Sequence, residues 1–100
     1  LNEKIRKMEY LEKRAELLKA IAHPIRLCIL DCLINQKKCN VTRMMKVLGK
    51  PQSTISQHLA KLRMNGIVEG KRKGLEVTYK ILDDDVVKIV KLLLKGKNFD

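Results

Sequence analysis

Between residues 41 and 66 the chain reads as two short helices with almost nothing between them. Val41, Met44, Met45 and Leu48 recur at helical spacing, and Gly49 stops the run. Only Gly49-Lys50-Pro51 precedes a second run, Gln52 to Asn65, with Ile55, Leu59 and Leu62 on one face. Two helices joined by so tight a glycine-containing turn form a helix-turn-helix, in which the second helix does the reading. Its remaining positions are chemically unusual. Gln52, Ser53, Thr54, Ser56, Gln57 and His58 stand where an ordinary surface helix carries Glu and Lys. Gln bonds bidentately to adenine, and Ser and Thr donate or accept on either strand. Taken alone, the same residues also suit a helix N-terminus with redundant caps.

After Gly66 the period changes to two. Leu75, Val77, Tyr79 and Ile81 alternate with Glu76, Thr78 and Lys80, which predicts a half-buried strand. Ile67–Arg72 is its expected partner, with the turn at Lys73-Gly74. The tip is basic: Lys71, Arg72 and Lys73. A cationic hairpin directly after a reading helix is a wing placed to touch backbone phosphate or the minor groove. The alternative is a solvated hairpin whose charge protects its edge from aggregation.

The flanks are helical. Ile5, Met8, Leu11, Ala15, Leu18 and Ala22 step by three or four through residues 3–22, and Glu/Lys pairs decorate the other side. His23-Pro24 ends that helix, because the residue before a proline is pushed out of the helical region. Pro24 then opens a second helix running to about Asn35. Asp83-Asp84-Asp85 suits the N-terminus of a last helix, VVKIVKLLLK, which is apolar nearly all round. A terminal helix that greasy needs a second surface in so small a domain. Together with the stripe on the first helix it predicts a two-fold dimer packed through residues 3–22 and 83–95. The alternative is a core closed entirely within one chain. The expected fold is a single domain over residues 1–100, mainly α, with about five helices and a small two-stranded antiparallel hairpin.

Charge narrows the partner. The net charge is +11, and residues 37–80 hold eleven Lys and Arg against Glu69 and Glu76. Such a patch attracts a polyanion by counterion release. No basic amphipathic helix with a bulky aromatic face points to a membrane, and no apolar run reaches transmembrane length. No signal peptide is evident, and three cysteines without framework spacing fit a reduced, cytoplasmic setting. An enzyme is not expected. Ser56 and His58, two apart on one helix, do not face each other, and there is no Gly-rich phosphate loop or carboxylate pair. A non-specific architectural binder would need cations, not Gln-Ser-Thr-Ser-Gln, on its reading helix. A winged module working mainly through protein contacts would not need the basic wing.

Over nearly its whole length the chain resembles the ArsR/SmtB family of small winged-helix repressors. The resemblance lies in LLKAIAHPIRLCIL (17–30), NVTRMMKVLGKPQSTISQHLAKLRMNGIV (40–68) and KRKGLEVTYKI (71–81). It implies a winged helix-turn-helix homodimer that binds an inverted-repeat operator in double-stranded DNA and is released by an inducer. Carried over, Gln52, Ser53, Thr54, Ser56, Gln57 and His58 are the DNA-facing set. Lys61 and Arg63 are phosphate contacts, and Lys71, Arg72 and Lys73 form the wing.

The family's metal sites do not carry over. Its Cys-x-Cys pair falls where this chain has Asn40-Val41-Thr42. Its last-helix site finds Asp83 and Asp85 but then Gly96, Lys97, Asn98 and Phe99. No metal or cofactor is expected. Three thiols remain as a candidate sensor: Cys28 and Cys32, four apart on the second helix, and Cys39 beyond the next turn. They read as small buried hydrophobes, as soft-metal or arsenical ligands, or as a redox or persulfide switch. Family dithiol sensors place the helix-two thiol where this chain has Asp31, and its last helix has none. A helical i,i+4 pair strains disulfide geometry, so a bridge would join Cys32 or Cys28 to Cys39. The residues do not name an inducer.

Overall fold

The computed structural model describes residues 1–96. In chain order these form α1 (Asn2–Ile21), α2 (Pro24–Gln36), β1 (Cys39–Asn40), α3 (Val41–Leu48), α4 (Gln52–Met64), β2 (Val68–Lys73), β3 (Glu76–Ile81) and α5 (Asp84–Leu93). The helix boundaries follow local chemistry. The His23 ring accepts from the Ile25 N–H at 3.1 Å and caps α2, with Pro24 in the first turn where its missing N–H costs nothing. Asn40 Oδ1 caps α3 through the Arg43 N–H at 2.8 Å, and Gly49, at φ 64°, closes it in the left-handed conformation. Asp83 caps α5 through the N–H groups of Asp85 and Val86.

The sheet departs from the expected two-stranded hairpin. It has three antiparallel strands in the order β1-β3-β2, with Cys39 opposite Tyr79 and Asn40 opposite Thr78. Lys37, at φ 64°, turns the chain back after α2 and lays β1 on the sheet edge. The hairpin turn is also one residue later than expected. Lys73 pairs with Glu76 across Gly74-Leu75, so Leu75 sits at the tip, fully exposed, instead of half-buried in a strand.

The core gathers around α2. Ile29, Leu30 and Leu33 are buried together with Met44 of α3, Ile55, Leu59 and Leu62 of α4, Ile67 and Val68 at the start of the wing, and Val86 and Val90 of α5. From α1 it takes Leu17, Ala20 and Ile21. The expected stripe on α1 is left outside: Ile5, Met8, Leu11 and Leu18 are all about half exposed or more. Helix α5, apolar all round in sequence, resolves into two faces. Val86 and Val90 point inward, whereas Leu92 and Leu93 are 71% and 61% exposed. Arg14 ties the two terminal helices together, reaching Asp85 Oδ2 at 3.0 Å and Asp83 Oδ2 at 3.6 Å.

Truncating a side chain at the centre of α2 leaves a void that the surrounding helices fill only in part. Leu33→Ala is expected to lower stability by about 2–5 kcal/mol in urea denaturation. Leu92→Ala, on the outer face of α5, is expected to leave the monomer's stability almost unchanged.

Candidate nucleic-acid interface

Helix α4 buries Ile55, Leu59 and Leu62 against the core, as their spacing predicts, and that fixes which residues look outward. Gln52, Ser53, Ser56 and Gln57 are exposed, as are Lys61 and Arg63, while Thr54 is half-buried. Pro51 is the N-cap, and no side chain caps the helix. The polar residues of the first turns are therefore not spent on the helix terminus, which removes the main structural reason for having them. Arg43 and Lys46 on α3 and Lys50 in the turn are exposed as well.

His58 is placed differently from its neighbours. Its ring is half-buried against the start of α2, 4.4 Å from the His23 ring, with Nδ1 3.2 Å from Arg26 Nη1. Burial, followed by the neighbouring His23 and Arg26, pushes its pKa below the ordinary imidazole value. Arg26 was absent from the sequence-derived set; its only signal was its position two residues after the helix-opening proline.

The strand register divides the wing lysines. Residues paired across the ladder share a face, so Lys71 lies with Thr78 and Lys73 with Glu76, whereas Arg72 lies with Val77 on the other side. The outer face forms a shallow basic cup lined by Lys38, Lys71, Lys73, Thr78, Tyr79 and Lys80. Glu69 partly offsets it, at 3.5 Å from Lys80 Nζ and 3.9 Å from Lys71 Nζ. These exposed pairs contribute little to stability. Lys38 and Lys80 were not among the expected wing residues. The two-residue strand that brings Lys38 alongside is too short to show an alternation.

A helix-turn-helix with a polar outward reading helix, followed by a basic hairpin, now stands on sequence and coordinates alike. A profile described as bacterial regulatory protein, arsR family, matches residues 23–70. The transcriptional repressor PagR of Bacillus anthracis is 48% identical over 89 residues, covering 87% of this chain and 89% of PagR. This chain belongs to the ArsR/SmtB family of winged helix-turn-helix transcriptional repressors. The crystal structure of PagR matches the fold with a TM-score of 0.79 at 46% identity, covering 86% of this chain and 98% of that one. The solution structure of the homodimeric winged helix-turn-helix DNA-binding domain of Mb0332 from Mycobacterium bovis matches with a TM-score of 0.79 at 34% identity, covering 88% and 81%.

The metal chemistry associated with ArsR/SmtB proteins does not fit the residues present. The carboxylates Asp83 and Asp85 at the start of α5 are engaged by the Arg14 guanidinium. The stretch that would complete a last-helix site runs from Gly96 into Lys97, Asn98 and Phe99, which lie outside the described residues. Among the described residues no three His, Cys, Asp or Glu side chains converge to hold an ion. Of the three thiols, two meet. Cys32 and Cys39 are buried with their sulfurs 3.8 Å apart, and Cys39 donates to the Asn40 carbonyl at 3.4 Å. Cys28 is exposed, and the three thiols do not converge into a soft-metal set among the described residues. Burial and the adjacent Cys39 push the Cys32 thiol up to about 12.

A thiol so strongly held in its protonated form is a poor nucleophile. At neutral pH a maleimide is expected to label Cys28 in the folded protein, and Cys32 and Cys39 only after denaturation. Peptide mass spectrometry reads the order, and equal labelling in the native state would contradict this burial.

Proposed function

We propose that this protein is a homodimeric, sequence-specific repressor that binds an inverted-repeat operator through two copies of α4 and is released by an inducer. One observation carries the reading: exposed, uncapped Gln52, Ser53, Ser56 and Gln57 on the reading helix, framed by cations. In this reading those side chains meet base edges, with Thr54 at their margin. Lys61 and Arg63 hold flanking phosphates. Lys71 and Lys73 take the wing to the backbone, with Arg72 on its opposite face. His58, which the family resemblance places in the DNA-facing set, serves that set from behind.

The dimer is supported by the apolar surfaces that α1 and α5 leave uncovered. A monomer of 11.5 kDa exposes about 5,800 Å² by the general scaling of surface with mass, whereas this protomer exposes 7604 Å². The difference is of the size that obligate dimer interfaces cover on each partner. The homodimeric Mb0332 domain gives the same architecture a precedent. A thiol-responsive version of the same repressor would have to use the Cys32–Cys39 pair, whose burial and raised Cys32 pKa disfavour it. A non-specific architectural role is disfavoured by the shortage of cations on the outward turns of α4.

Selection from a randomised duplex library is expected to enrich a two-fold repeat. Replacing Gln52, Ser53 and Ser56 by Ala is expected to abolish the enrichment while leaving salt-sensitive binding, since phosphate contacts carry most of the sequence-independent affinity. An unchanged selected sequence would remove α4 from the role of reader. Separately, Leu11→Glu combined with Leu93→Glu is expected to give monomers in sedimentation velocity, because both residues sit on the uncovered faces and neither supports the protomer core.

A further inference from the structure

We propose that Arg26 and His58 form a positioning latch that fixes the reading helix to the end of α1, and that the latch holds only while the His58 ring is neutral. This inference rests on the DNA-binding reading and adds to it how α4 is held. It begins with a vacancy in α1. In a continuing helix the Ala20 carbonyl would accept from the residue four further on, which here is Pro24 and has no N–H. Arg26 fills that vacancy, its Nε donating to the Ala20 oxygen at 2.5 Å. The same guanidinium extends Nη1 to His58 Nδ1 at 3.2 Å. One planar fork thus grips the last turn of α1 and the middle of α4, which are far apart in sequence.

The protonation state follows from the partners. Arginine only donates, so His58 Nδ1 must be the unprotonated acceptor and Nε2 carries the hydrogen. The charged and titratable groups facing the ring are Arg26 and His23, both at the start of α2. Both are cations or bases. A proton arriving at Nδ1 would remove the acceptor and set an imidazolium against a guanidinium. Burial and the same two α2 neighbours already hold the pKa below the ordinary value, so the latch is closed at neutral pH. It opens when acidification protonates the ring, at a pH lower than an ordinary imidazole would need.

The two roles open to His58 predict opposite signs. If the ring touched DNA directly, protonation would add a cation at the phosphates and binding would tighten in acid. If it latches α4, binding weakens in acid. The probe is a duplex selected by the wild-type protein, with affinity measured by fluorescence anisotropy at constant salt between about pH 7.5 and about pH 5. The control is His58→Asn, whose side-chain oxygen keeps an acceptor but does not titrate. Relative to that variant, wild-type affinity is expected to fall by up to about tenfold per pH unit once below the ring's pKa. Parallel pH profiles, or a wild type that tightens in acid relative to the variant, would overturn the latch.

A second measurement needs no DNA. Nitrogen-15 spectra of the folded protein's imidazoles are expected to show His58 as the Nε2–H tautomer, and a protonated Nδ1 at neutral pH would overturn the assignment. Should His58→Asn fail to fold, Arg26→Lys keeps the charge but loses the two-armed fork. Its binding is expected to be weakened at neutral pH with a flattened acid response, and an unaltered profile would overturn the proposal. If no duplex is enriched at all, the DNA-binding reading fails, and the tautomer still decides whether the latch exists.

Discussion

Burial of the inner face of α2 is the constraint on which the other elements depend. Ile29, Leu30 and Leu33 lie at the middle of the protomer, and α1, α3, α4, α5 and the sheet all pack around this one helix. Each of these side chains, removed from water, stabilises by about 1.5–3 kcal/mol. Without aromatic bulk to fill gaps, aliphatic packing sets the distances between helices. The rotation of α4 is then dictated from inside. Ile55, Leu59 and Leu62 must reach the α2 surface, and that requirement alone turns Ser53, Ser56 and Gln57 to the outside. The geometry of the reading face is a consequence of core packing.

The same small core accounts for the division of labour on the surface. Among the described residues the buried side chains are all apolar. The cations therefore lie at the periphery, and most of the net positive charge falls between residues 37 and 80, where eleven Lys and Arg face only Glu69 and Glu76. Of the apolar side chains left exposed, most lie on α1 and on the outer face of α5. In the proposed dimer, the surface around α4 and the wing would meet a polyanion while the apolar side chains of α1 and α5 would meet a second copy of the chain. Mixing them would place lysines in a dry interface at several kcal/mol each.

Much of this was legible in the sequence because it is local. Periodicity and punctuation mark α1 to α5: Pro24 and Pro51 at helix starts, Gly49 at a stop, Asp83 at a cap. The inward face of α4 and the change to period two after Gly66 follow from the same signals. What was not legible depends on contacts between distant segments. Strand β1 is two residues long and exists only because Tyr79 and Thr78 lie opposite it. The Leu75 tip follows from a register that alternation alone leaves one residue uncertain. His58 shares its outward polar neighbours' chemistry, and nothing in its own helix announces that Arg26 claims it. Helix α5 looked uniformly greasy because a linear pattern cannot say that Val90 faces α2 while Leu93 faces away.

The shortness of the paths between these surfaces has a mechanical consequence. Helix α1 enters the core only through its last turns, at Leu17, Ala20 and Ile21, where it meets both α2 and α4. Helix α5 meets α2 through Val86 and Val90, and Arg14 fastens its start to α1. A shift at the outer faces of α1 and α5 is therefore transmitted to the reading helix through one layer of close-packed side chains. Such interiors deform in discrete rearrangements and not by continuous yielding. In a two-fold assembly the spacing of two reading helices would be set by these faces, so even a small repacking there would displace both helices from their grooves together. In the proposed dimer, control would need no ligand near the DNA. It would require only something that biases how α1 and α5 sit on α2.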